Sequence, residues 1–274
     1  MNEAISSTKQ AWALVTGASS GIGEEFSRQL AARGYQLVLV ARRRERLEAL
    51  AADLAQEYGT SSHIITADLT HADACQQIAD ELQAQQITVE FLVNNAGYGV
   101  PGRLVTVDWA THEDFLRIMV NAVCQLSWLL MPAMLEQGRG HIINVASVAG
   151  LTPSTAGHTL YGASKAFLVR FSEALAAEGA AYGVKVSALC PGFTYSEFHD
   201  VTGTRAQVSA LPSFLWLQAD QVVRYGLDSV LRKRPRVVAV PGRIYRLIVW
   251  LNGACPPLGR WLANRNSHRF RKLD

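Results

Sequence analysis

Tyr161 and Lys165 stand four residues apart in Tyr-Gly-Ala-Ser-Lys, a spacing that puts a phenol and an ammonium on one face if a helix begins there. Alone, neither suits acid–base work near neutrality, since their free pKa values are about 10 and about 10.4. A cation beside the phenol favours the phenolate and brings the tyrosine toward a range where it can give and take a proton. Tyr-x-x-x-Lys also occurs on many solvated helix faces, so its weight comes from the residues before it in the chain. Ser147 follows the apolar run of residues 140–146, and a hydroxyl at a strand tip could hydrogen-bond a substrate oxygen; an ordinary turn serine looks the same. Asn121 interrupts a long helical stretch from about Thr111 to Gln137, among Ile118, Val123, Leu126 and Leu129. Asparagine is a poor helix former that needs partners when buried, so it marks a polar interior site. Pro132 is expected to kink this helix rather than end it.

These groups must be positioned by something, and the chain supplies alternating strands and helices. The apolar run 11–16 ends in Gly17-Ala18-Ser19-Ser20-Gly21-Ile22-Gly23, after which residues 24–33 have helical periodicity. Glycines permit a tight turn and close backbone approach, and the following helix offers free N–H groups to a pyrophosphate. A second buried strand, residues 36–41, ends in Arg42-Arg43-Arg44-Glu45-Arg46. Ala41 stands where an acid would hold a ribose 2′-hydroxyl, and Arg42 can fork onto a 2′-phosphate, so NADP(H) is favoured over NAD. Arg44 and Arg46 read as solvating the start of the next helix. A third strand, 63–67, delivers Asp68 and Leu69; Asp68 could accept from an adenine amino group or cap a helix. A fourth, 89–93, delivers Asn94-Asn95-Ala96-Gly97, residues suited to backbone fixing and ribose contact, or to a plain turn.

With 274 residues, 49% of them apolar, the chain can fill a sizeable core. Cys75, Cys124, Cys190 and Cys255 are scattered without a Cys-x-x-Cys pair, which argues against a zinc site or a disulfide framework. Residues 1–10 are polar and lack the apolar stretch of a signal peptide. Both features lead to the expectation of a reducing, cytoplasmic compartment. No apolar run approaches the roughly 20 residues of a membrane span. The net charge of +3 conceals an asymmetry: residues 1–231 hold 15 Lys+Arg against 22 Asp+Glu, and residues 232–274 hold 11 against 1. Basic residues confined to one tail, without a recognition motif, argue against a nucleic-acid module.

Together the motifs Thr16-Gly17-x-x-x-Gly21-x-Gly23, Asn94-Asn95-Ala96-Gly97, Asn121, Ser147, Tyr161-x-x-x-Lys165 and Pro191-Gly192 resemble those of the classical short-chain dehydrogenases/reductases, up to about residue 240. One departure is Ser196, where the family often has threonine; the hydroxyl is retained. The resemblance implies a single Rossmann-type α/β domain over 1–240, a seven-stranded parallel sheet with helices on both faces, with sixth and seventh strands at 184–189 and 236–240. It implies that Tyr161 is the general acid or base, that Lys165 lowers its pKa and holds the nicotinamide ribose, that Ser147 orients the carbonyl, and that Asn121 keeps a water behind Lys165. The cofactor would be held by Gly17, Ser19, Ser20, Gly21, Ile22, Gly23, Arg42, Asp68, Leu69, Asn95, Ala96, Gly97, Tyr161, Lys165, Pro191, Gly192 and Thr194, without a metal. The partners implied are a small carbonyl or alcohol substrate and further copies of the chain, as a homodimer or homotetramer.

Residues 193–219 would overhang the carboxyl ends of the strands, and Phe198, Leu211, Phe214, Leu215, Trp216 and Leu217 suit a greasy or bulky substrate, or a subunit contact. Tyr98, Leu151, His158 and Phe193 are further candidates to line the pocket. The extension 241–274, with Tyr245, Trp250, Pro256-Pro257 and Trp261, is basic and amphipathic; it could cover the active site or a subunit, or rest on an anionic membrane. Expectation therefore centres on an NADP(H)-dependent carbonyl reductase or alcohol dehydrogenase. A 3-oxoacyl-thioester reductase and a non-catalytic NADP-binding regulator are the alternatives.

Overall fold

The computed structural model describes residues 11–154, 156–157, 159–198, 202 and 211–257. Seven parallel strands form one sheet in the order β3-β2-β1-β4-β5-β6-β7. They are β1 (Trp12–Thr16), β2 (Gln36–Ala41), β3 (Ser62–Thr66), β4 (Val89–Asn94), β5 (Gly140–Val145), β6 (Val184–Leu189) and β7 (Val238–Ala239). Strands covered on both faces read as continuous apolar runs, and β2 is buried along its whole length. β7 is shorter than the expected 236–240. The Arg236 amide donates to Ser229 at the end of the preceding helix, so pairing with β6 begins only at Val238.

Helices fill the crossovers: α1 (Gly21–Ala31), α2 (Arg44–Tyr58), α3 (Ala74–Ala84), α4 (Trp109–Leu116), α5 (Ala122–Gln137), α6 (Thr159–Ala180), α7 (Ala219–Leu231) and α8 (Arg243–Ala254). On one face, Phe26, Leu30, Leu47 and Leu54 from α1 and α2 pack on β1 and β2, and α7, with Val223, packs beside α1 on β5 and β6. On the other, Ile78, Phe115, Leu126 and Met134 from α3, α4 and α5 pack on β1 and β4.

A π turn over Arg117–Asn121 joins α4 to α5. Pro132 lies inside α5 without ending it. The joined helix Trp109–Gln137 is long and apolar enough, by length and composition, to cross a membrane. The sequence did not single it out because single polar residues interrupt its apolar runs; in the fold, Phe115, Met119, Leu126 and Met134 belong to the core under the sheet. Strand order reverses between β1 and β4, which in open α/β sheets opens the ligand crevice at the carboxyl ends of the strands.

Candidate active site

The loop from β1 to α1 is built as a seat for backbone contact. Gly17 and Gly21 adopt φ of 67° and 57°, the left-handed region that side chains avoid. A Cβ on Gly23 would lie 2.2 Å from the Gly17 carbonyl oxygen, so α1 and the loop touch there through bare backbone. Ser20 is the N-cap of α1, but its side chain does not cap the helix. First-turn N–H groups are thus left to an anion. Thr16 fastens the loop to β4: its Oγ1 accepts from the amides of Asn95 and Ala96, each at 3.0 Å. The Asn95 side chain donates back to the Thr16 carbonyl at 2.9 Å. The Asn95 side chain therefore fixes backbone, one part of what its position suggested. Asn94 turns inward, donating to Asn144 at 2.9 Å, and Asn144 donates to Ser172 at 2.9 Å. Two strands that read as apolar from outside thus share a buried polar chain.

A cleft of about 480 Å³ opens over this loop. All the expected site residues line it except Gly23, Asp68 and Asn121. Gly23 serves through its close approach. Asp68 accepts from the Thr70 amide and hydroxyl at 3.0 and 2.9 Å, an Asx turn ahead of α3, whose N-cap is Asp73. Burial pushes the Asp68 carboxyl up, but the Thr70 bonds and Arg42 outweigh it and hold it below the ordinary range.

Asn121 differs from expectation. It is exposed rather than buried, at the end of the π turn. A wide turn adds a residue to the helical register and rotates the turns after it, so the spacing of apolar neighbours misplaced this side chain.

The arginine run sorts itself in an unexpected way. Arg42 is largely exposed, 3.7 Å from Asp68. Arg43, which the sequence did not separate from its neighbours, reaches over the glycine loop to Ser19 Oγ and Ser20 Oγ, each at 3.0 Å. Arg44 pairs along α2 with Glu48 at 2.8 Å, as a solvating residue should. Arg46 does not; it reaches Glu197, 151 positions along the chain, at 2.7 Å. The signal for Arg43 was its place two residues past the strand, but only the approach of strand end to glycine loop distinguishes it from Arg42.

Tyr161 lies in the first turn of α6 and Lys165 one turn on, so the expected shared face exists. Lys165 Nζ is 5.7 Å from the centre of the Tyr161 ring and donates to the Val145 carbonyl at 2.7 Å. Burial lowers the pKa of the Lys165 ammonium to about 8. Ser147 is buried at the tip of β5. Its Oγ accepts from the Ala149 amide at 3.1 Å and donates to the Pro191 carbonyl at 3.4 Å, a long bond that a better acceptor can replace.

The far wall of the cleft comes from the chain after β6. Pro191, Gly192, Phe193 and Thr194 line it, with Phe198 5.9 Å from the Tyr161 ring. Tyr98 also lines it and Leu151 does not. His158, Trp261 and most of 199–210 lie outside the described residues. Tyr195 stacks on Trp216 at 4.7 Å, and Phe214 is exposed. Tyr245 of α8, buried, places its ring against Gly192, where a Cβ would lie 2.0 Å from a ring carbon. Its hydroxyl accepts from the Phe193 amide at 3.0 Å and donates to the Leu215 carbonyl. The extension therefore begins as a brace for the loops around the cleft.

The doubly wound sheet, with its cleft at the reversal of strand order, is of the Rossmann type. Residues 11–206 match the family model for the short chain dehydrogenases, and the chain belongs to that family. A very-long-chain 3-oxoacyl-CoA reductase of Anas platyrhynchos is 36% identical over 197 residues, 70% of this chain and 62% of the relative, so this chain spans less than two thirds of that protein. A short-chain dehydrogenase from Sphingobium yanoikuyae, solved in complex with NADPH, is similar at 32% identity and a TM-score of 0.79, over 90% of this chain and 94% of the other. The bulky-bulky ketone specific alcohol dehydrogenase from Comamonas testosteroni is similar at 30% identity and a TM-score of 0.76, over 92% and 94% of the two chains.

Proposed function

We propose that this protein is an NADP(H)-dependent oxidoreductase interconverting a carbonyl and an alcohol on an apolar or bulky substrate. The observation that carries this is the buried Lys165 ammonium beside the Tyr161 ring, in the same cleft as the glycine loop. The residues fit a dinucleotide: glycines with no room for a side chain, uncapped N–H groups at α1, and an arginine–serine cluster past β2. Gly17 to Gly23, Arg42, Arg43, Asn95 to Gly97, Lys165 and Pro191 to Thr194 would hold it. When bound, a nicotinamide dinucleotide supplies hydride exchange with the substrate carbon.

Tyr161 gives its phenolic proton to the carbonyl oxygen in reduction and takes one from the alcohol in oxidation. The Lys165 charge favours the phenolate and brings the phenol's pKa toward neutrality. Lys165 has two further N–H groups beyond the one given to Val145, enough for a ribose hydroxyl. Ser147 turns its hydroxyl from Pro191 to the substrate oxygen and fixes which face is presented. Asn121, exposed at the end of the π turn, would keep a water behind Lys165. Phe193, Phe198 and Tyr98 favour apolar substituents at the carbonyl.

A 3-oxoacyl-thioester reductase is the second reading, favoured by the similarity to the Anas platyrhynchos reductase and by the basic segment 232–274, which suits an acidic carrier or a CoA phosphate. The test is a panel of bulky ketones, aldehydes and 3-oxoacyl thioesters, followed by loss of reduced-cofactor absorbance. Turnover should be seen with NADPH and fall about 10²- to 10⁴-fold in Tyr161→Phe with NADPH affinity kept. NADPH binding without turnover of any member would favour a non-catalytic regulator instead.

A further inference from the structure

The arginine–serine cluster beside the cleft already holds an anion, and that anion belongs to the chain. Arg43 bonds Ser19 and Ser20 with one terminal nitrogen and reaches Glu197 Oε2 at 3.2 Å with the other. Arg46 donates from one terminal nitrogen to both oxygens of the same carboxylate, at 2.7 and 2.9 Å. Glu197 is carried there by the turn after Thr194, which lies on the glycine loop: a Cβ on Gly21 would be 2.9 Å from Ser196 Cβ.

We propose that Glu197 is a specificity-determining residue, an internal competitor for the seat of the cofactor's 2′-phosphate, and that it limits the chain's preference for NADP(H) over NAD(H). This rests on the NADP(H) reading above. The chemistry is that of one anion displacing another. A phosphate monoester carries close to two negative charges at neutral pH, whereas a free 2′-hydroxyl carries none. To bond Arg43 and Ser19, the phosphate must draw Arg43 away from Glu197 and sit near a carboxylate that Arg46 keeps in place. Arg46 and Arg43 hold the Glu197 carboxyl below the ordinary range, so it stays charged. A cofactor with a free hydroxyl meets no such opposition. The pair also ties the loop after β6 to the start of α2 across the cleft. Loss of that tie would change the affinity of both cofactors alike, whereas loss of the competing charge acts on the phosphorylated one alone.

Calorimetry on the full chain separates the two effects. Dissociation constants are measured for NADPH, NADH, adenosine 2′,5′-bisphosphate and 5′-AMP, with wild type, Glu197→Gln and Glu197→Ala. Both side chains of the pair are substantially exposed, so the variants should fold. The expected result is that the NADPH:NADH affinity ratio and the bisphosphate:monophosphate ratio rise about 3- to 10-fold in both variants, the range of one partly exposed charge pair acting on a dianion. Unchanged ratios, or equal shifts for all four ligands, would overturn the proposal. A wild type that binds NADH and rejects NADPH would overturn the cofactor reading, and the sign of the ratio change in Glu197→Gln would still decide the role of Glu197.

Discussion

Burying an ammonium disfavours its charged form, and Lys165 is 6% exposed with the Val145 carbonyl as its hydrogen-bond acceptor. Its folded-state pKa of about 8 lies below the ordinary 10.5. Between those values the unfolded chain keeps a proton that the native chain has released, so stability rises with pH across that window; below it this group costs stability by an amount that no longer changes with pH. Thermal unfolding of wild type and Lys165→Met should show this directly. Wild type is expected to gain on the variant as pH goes from 8 to 10.5, and a difference independent of pH would place the titration elsewhere. The same burial explains why Lys165 can serve Tyr161, because in a dry pocket a nearby charge acts more strongly than at the surface. The Tyr-x-x-x-Lys spacing was legible as soon as a helix could be inferred. The depressed ammonium was not, because it depends on β5 lying beneath α6.

Among the elements, α8 shows what an amphipathic pattern leaves undecided. The sequence showed it as basic and amphipathic, but one buried residue ties it to the site. Tyr245 satisfies the Phe193 amide and the Leu215 carbonyl at once, and its ring fills the space that Gly192 leaves open. Tyr245→Phe keeps the ring and strands both backbone groups, a loss of about 1–3 kcal/mol. The expected outcome is a lower Tm together with a several-fold higher KM for a bulky ketone and a kcat within about twofold. An unchanged KM would show that the brace does not reach the substrate loop. The π turn before α5 makes the same point: Asn121 stood out by residue type, but its exposure came from one wide turn that no apolar spacing records.

At the scale of the whole molecule, large apolar side chains remain uncovered. Trp128 on α5 is 71% exposed, and Phe167 on α6 is 42% exposed, stacked on Phe171. Exposed aromatic residues on adjoining helices suit a self-complementary pairing of two copies, as expected from the family resemblance. Light scattering should give a mass above that of one chain, and Trp128→Glu should shift it toward the monomer with Tm little changed. A monomeric wild type would remove the expectation. On α8, Leu247 and Trp250 are likewise exposed beside Arg243 and Arg246.

The sequence by itself determined the order of strands and helices, the glycine loop, and the Tyr161–Lys165 face, because these are set by local periodicity and by backbone needs that only certain residues meet. It also carried the family, since its motifs lie at fixed spacings along the chain. What only the tertiary structure decided was which groups from distant segments meet: Arg43 rather than Arg42 over Ser19 and Ser20, Arg46 with Glu197, and Tyr245 beneath Gly192. Long charged side chains can point in many directions from the same position. Their partners are chosen by which strand ends the sheet brings to one edge of the cleft.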